Sequence, residues 1–171
     1  MHTLTRLGTR AAAVTLLIAP AASLAVGTAS AEGGGTTVAL DNYLRRCDFS
    51  KVAIAPKVPS PMLGSGSAIV RTSGSRAVAE VHLTDGPEPG MHYDVGLIEE
   101  PRPSSSNCGP GDPGTAFTGM DLDGAGTGTA TVADTIRPGT TGVWVIIERA
   151  NANSQNPAEF YTSEFVVPVG S

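Results

Sequence analysis

His82, His92 and Asp94 are side chains of the kind that hold Zn²⁺ or Cu²⁺, since imidazole nitrogens and carboxylate oxygens are ordinary ligands of those ions. Their spacing brings them together if residues 77–84 and 91–99 form neighbouring strands. Ala77, Ala79, Val81 and Leu83 alternate with Val78, Glu80, His82 and Thr84; Tyr93, Val95 and Leu97 alternate with His92, Asp94 and Ile98. The first set of each stretch reads as the core face. Across the turn Asp85-Gly86-Pro87-Glu88-Pro89-Gly90 the two strands read as a hairpin. Two registers keep both apolar faces inward. One sets His82 opposite His92, the other sets His82 opposite Asp94, and Glu80 lies alongside in both. The chemistry implied is an outer-face metal site of His82, His92 and Asp94. The plainer reading is that polar residues on an outward strand face are solvated and hold nothing.

Other catalytic patterns are weaker. Serine hydrolysis needs a strained Gly-x-Ser-x-Gly elbow with a histidine and an acid, and Gly64-Ser65-Gly66-Ser67-Ala68 is only a flexible polar loop. Gly124-Ala125-Gly126-Thr127-Gly128 lacks the lysine and the final glycine spacing of a phosphate loop, and it opens a strand instead of a helix. Asp121-Leu122-Asp123-Gly124-Ala125-Gly126 begins like a calcium loop, but Ala125 and Val132 stand where further oxygen ligands belong. It reads as a turn, with Asp123 and Gly124 suited to a left-handed backbone. No catalytic residue and no cofactor is assigned.

Cys47 and Cys108 are the two cysteines of the chain. A redox dithiol places its thiols two residues apart at a helix start, and a zinc site takes more ligands than two thiolates. An exported chain with an even count forms a disulfide. Closing about 62 residues in this way removes roughly 4 kcal/mol of unfolded-state entropy on the chain-entropy model.

The elements that position these residues are strands. With 21 Gly, 13 Pro and 5% aromatic residues among 171, the poorest helix formers interrupt nearly every stretch. Residues 38–50 fit one helical turn or a short edge strand. Short strands follow over 51–55 and 67–72, separated by the proline-rich 56–61. Residues 101–114 form a polar loop that carries Cys108. Further strands are expected at 115–122, 127–134, 143–148 and 160–169. The Val-Trp-Val-Ile-Ile run of 143–147 has no polar alternate and reads as a central strand covered on both faces. In the last strand Tyr161, Phe165, Val167 and Val169 share one face. The fold class expected is all-β, an immunoglobulin-like or Greek-key β-sandwich of about seven to nine strands with one disulfide.

Residues 1–31 read as a secretory signal peptide: Arg6 and Arg10 precede an apolar run, and Ala29-Ser30-Ala31 offers the small residues a signal peptidase reads. The run is broken by Pro20 and is too short to span a bilayer. Residues 32–45 are expected to be a flexible arm and 46–171 the sandwich domain. Removal of the leader leaves 16 acids against 9 bases, a net charge of −7 that repels nucleic acid and anionic lipid. The expected product is secreted, is not inserted in a membrane, and meets a protein or envelope partner outside the cell.

Val81-His82-Leu83, the Pro-Gly turn and His92-Tyr93 loosely resemble a strand-turn-strand of copper/zinc superoxide dismutase-like and chordin-repeat sandwiches. Those metal sites take more histidines than the two here, so the activity does not carry over. Arg46-Cys47-Asp48-Phe49, Tyr93-Asp94-Val95, Cys108 in its loop, Gly142-Val143-Trp144-Val145 and Tyr161-Thr162-Ser163-Glu164-Phe165 resemble uncharacterised secreted proteins of mycobacteria and related actinobacteria. The resemblance covers nearly the whole chain after the leader. It implies a sandwich and export, and no catalytic residues.

Overall fold

The computed structural model describes residues 34–52, 64–153 and 156–169. The signal peptide read at 1–31, most of the strand read at 51–55 and the proline-rich 56–61 lie outside the described residues. Nine strands and no helix are present among those described: β1 (Thr36–Asp41), β2 (Ser65–Ser73), β3 (Arg76–Thr84), β4 (His92–Glu100), β5 (Thr115–Asp121), β6 (Thr127–Thr135), β7 (Gly142–Arg149), β8 (Glu159–Ser163) and β9 (Val167–Pro168). Eight of them form one antiparallel sheet in the order β5-β4-β7-β8-β1-β2-β3-β6, and β9 pairs with β7. The edge strands β5 and β6 lie against one another without ladder pairing, so the sheet curls nearly into a closed barrel.

Period-two alternation accounts for what lies inside. Ala77, Ala79, Val81 and Leu83 of β3 and Tyr93, Val95 and Leu97 of β4 are all fully buried in the barrel core, with Val38, Ala68, Val70, Val143, Val145, Ile147 and Tyr161. A second apolar layer covers the outer face of β4 and β7, where Ile98, Trp144 and Ile146 meet Phe49, Cys108, Phe117 and Val166. That outer layer is why β7 carries no polar alternate.

Four expectations are corrected. The hairpin of β3 with β4 does not form, because β3 pairs with β2 and β6 while β4 pairs with β5 and β7. Matched alternation fixes which face turns inward and leaves the neighbour unspecified. The segment read as a flexible arm carries β1, whose Val38 and Leu40 are buried between β2 and β8. The last stretch is not one strand: it breaks after Ser163, and Phe165 is 42% exposed instead of joining the core face. In the turn after β5, the left-handed residue is Gly126 at φ +75°, in place of Asp123 and Gly124.

Candidate functional site

The 101–114 loop between β4 and β5 stands on a buried acid. Glu99, fully buried at the end of β4, accepts from Arg137 Nε at 2.8 Å, from Thr140 Oγ1 at 2.7 Å and from the Arg137 amide at 3.3 Å. Burial alone raises the pKa of its carboxyl, yet the hydroxyl and the guanidinium outweigh burial and hold it below the ordinary range. Next to it, Glu100 accepts from Trp144 Nε1 at 2.9 Å and from the Arg102 amide at 2.9 Å, and burial pushes its carboxyl up.

From this base the loop is laced by its own polar groups. Arg102 donates through Nη1 to the Asn107 carbonyl at 3.0 Å and through Nη2 to the Pro113 carbonyl, spanning the loop from within. Asp112 Oδ2 accepts from the Gly109 amide at 2.8 Å, and Thr115 Oγ1 lies 2.8 Å from the carbonyls of Gly109 and Asp112. Cys108 is joined to Cys47 with their Cα atoms 5.6 Å apart, which realises the disulfide read from the sequence. The loop encloses an open cleft of about 320 Å³ lined by Arg102, Ser106, Asn107, Asp112, Pro113 and Arg137 among others. A segment of Pro, Ser and Gly with few apolar side chains is thereby fixed in one shape.

The disulfide also holds the 45–51 loop across the outer face of β7. The Phe49 ring meets Trp144 with centroids 5.5 Å apart, and Phe49 itself adopts a left-handed φ of 62°, rare for a bulky residue. Arg45 stacks its guanidinium 3.9 Å from the Phe49 ring centre and donates from Nε to Thr162 Oγ1 at 3.1 Å. Desolvation lowers the pKa of this guanidinium, which Asp41 offsets in part.

The residues read as a metal site are not brought together as the hairpin required. His82 sits on β3 opposite Ser67 of β2 and Thr129 of β6, whereas His92 sits on β4 opposite Asp121 of β5. His92 and Asp94 do meet: Nε2 lies 3.7 Å from Asp94, and Nδ1 lies 2.6 Å from Asp121. Both ring nitrogens therefore face carboxylates, and the Asp121 hydrogen bond above all raises the imidazole pKa. The arrangement, an imidazole held between two acids, favours the charged form of the ring. The ring lies across Gly119, where a Cβ would come within 2.7 Å of it. Among the described residues no group of three or more His, Cys, Asp or Glu has the geometry to hold a metal ion.

Sequence reasoning missed the acid Glu99 and the Arg45–Phe49–Trp144 stack. Glu99 carried a signal all the same: it falls on the inward parity of β4 with Tyr93, Val95 and Leu97, so an acid there needs a buried partner. Its partners lie some forty residues further on, and nothing local announces them.

No family model, no curated protein and no solved structure matches the chain. Among the described residues no helix is long and apolar enough to cross a membrane.

Proposed function

We propose that this chain is a secreted, non-enzymatic β-protein that offers its 101–114 loop to a protein or envelope partner outside the cell. The observation that carries the reading is the loop's fixation: a polar segment is ordered by a disulfide, by Arg102 and by Asp112 before any partner arrives. Ordering a loop beforehand removes that entropy cost from association, which is the ordinary benefit of a preorganised binding surface. The leader-like 1–31 segment and the disulfide support export, and the excess of acids supports a role away from nucleic acid and anionic lipid.

The finer fold reading is a Greek-key sandwich of the immunoglobulin kind. It rests on β4 lying beside β7 and β3 beside β6, so that sequence neighbours are split across the sheet. The proposed kinship is with the uncharacterised secreted proteins of mycobacteria and related actinobacteria, through the Cys47 and Cys108 segments and the β7 and β8 stretches. No cofactor is assigned.

Ser105 and Asn107 are exposed on this loop, so the double variant Ser105→Arg/Asn107→Arg alters its surface and spares its internal bonds. Washed envelope of an actinobacterial host should retain the labelled wild type saturably, and the variant should be retained at least tenfold less. Equal retention of both, or none of either, overturns the reading.

A further inference from the structure

The hydroxyl of Tyr93, a fully buried residue, stands between two carboxyl groups, 2.9 Å from Asp85 Oδ2 and 2.8 Å from Glu159 Oε2. Both acids are buried as well, Asp85 at 0% and Glu159 at 2% exposure. A phenol has one proton to donate, and an ionised carboxylate has none. Two contacts of these lengths therefore need a second proton. One acid must donate to the phenol oxygen while the phenol donates to the other.

The surroundings assign that proton. Glu159 is supplied with donors: the Tyr161 hydroxyl donates to Oε1, and the Arg149 guanidinium lies 3.3 Å from Oε2. Among the described residues Asp85 has no such supply, and its Oδ1 is buried without a hydrogen-bond partner there. Leaving an oxygen unpaired costs far less on a neutral acid than on a buried anion.

The described groups that face the pair fit this division. Tyr93 comes from β4, Arg149 from β7, Glu159 and Tyr161 from β8, and Glu88 from the connection after β3. Among the described residues Arg149 is the one cation facing the pair, and it lies toward Glu159 and 3.7 Å from Glu88. The Gly64 amide ahead of β2 donates to Tyr161 at 3.1 Å. Burial raises the Asp85 pKa most, and the charge and hydrogen bond of Glu159 and the charge of Glu88 add to the rise; a Tyr93 hydroxyl donating to Asp85 would oppose it, whereas one that accepts from Asp85 does not. Burial likewise pushes both tyrosines above their ordinary range.

We propose that Asp85 is a proton-holding latch: as the neutral acid it donates to Tyr93, Tyr93 donates to Glu159, and the relay fastens the connection between β3 and β4 to the start of β8. The same residue reaches the seam of the barrel. Its amide donates to the Gly126 carbonyl at 2.7 Å, in the turn that joins the unpaired edge strands β5 and β6. The Gly90 amide donates to the Asp123 carbonyl of that turn at 3.3 Å. Loss of the proton leaves two buried anions on one hydroxyl and loosens the connection from β8 and from the seam. Because the folded protein holds this proton more tightly than the unfolded chain, the latch is complete below the ordinary aspartate value near pH ~4 and is lost as pH rises through the folded value.

The test combines infrared spectroscopy of the disulfide-bonded protein with its unfolding by urea. Just above the ordinary aspartate value, near pH ~5, wild type should show the carbonyl stretch of a buried protonated carboxyl, and Asp85→Asn should lack it. With Trp144 fluorescence as the probe, the folding equilibrium constant of wild type should fall by up to tenfold more per pH unit than that of Asp85→Asn in the window above pH ~4. If Asp85→Asn does not fold, the side-chain carbon-13 shift of Asp85 in wild type decides alone. An Asp85 that titrates at or below the ordinary aspartate value, or a band lost in Glu159→Gln and kept in Asp85→Asn, overturns the proposal.

Discussion

Phe49 lies across Trp144 with ring planes tilted by 60°, and the disulfide that begins two residues earlier, at Cys47, ties that loop to the 101–114 loop over the same face of β7. Trp144 is the one tryptophan of the chain, so its emission reports the state of this face.

Replacing both Cys47 and Cys108 by serine should therefore shift Trp144 emission to the red and increase its quenching by acrylamide, as Phe49 leaves the ring. Unfolding in urea should move to a lower midpoint, a loss of about 2 to 5 kcal/mol. Unchanged emission together with an unchanged midpoint would show that the disulfide does not hold the aromatic contact.

The Glu99 side chain is fully buried, and removing it leaves the Arg137 amide and the Thr140 hydroxyl without their acceptor. Glu99→Ala should cost about 3 kcal/mol, the lower end for breaking a buried pair, because Arg137 keeps access to water. Its carboxyl is held below the ordinary range, so its stabilisation is present above the free glutamate value near pH ~4.3 and is lost as pH falls through the folded value. Wild type should lose stability on acidification more steeply than Glu99→Ala, and parallel curves by calorimetry would refute the assignment.

His92 should titrate above the free imidazole value of ~6.5, because Asp121 and then Asp94 favour its charged form. What this clamp contributes is present below the free value and is lost as pH rises through the folded one. Proton NMR should show the His92 midpoint falling toward the free value in Asp121→Asn, and an unmoved midpoint would dismiss the contact. With both ring nitrogens engaged, Zn²⁺ titrated into wild type should bind no tighter than roughly millimolar. Submicromolar binding lost in His92→Ala would restore the metal reading.

Gly126 and Gly124 separate backbone demand from turn composition. Gly126 is left-handed, and a Cβ there would come within 2.2 Å of the Asp85 carbonyl oxygen; a Cβ on Gly124 meets nothing within 4 Å. Gly126→Ala should destabilise by about 3 kcal/mol. Gly124→Ala should change stability by less than about 0.5 kcal/mol. Equal effects in thermal unfolding would refute the placement of the strained position.

Much of the fold was legible because alternation is a local property. Ala77 to Leu83 and Tyr93 to Leu97 turn inward as their period demands, β7 is covered on both faces as its unbroken apolar run requires, and Cys47 finds Cys108 because there is no other thiol. Tertiary structure alone decided which strands became neighbours. A core-facing parity is satisfied equally by any partner strand, so the sequence could not show that β6 and β2 flank β3, which parts His82 from His92, or that β5 flanks β4, which brings Asp121 to His92. It could not show the partners of the buried polar groups either. Tyr93 sits on an apolar face like any core residue, and only the closing of the barrel end brings Asp85 and Glu159, seventy-four positions apart, to the same hydroxyl. Burial then makes their shared proton matter, because a charge that water would stabilise at no cost must there be neutralised or paired.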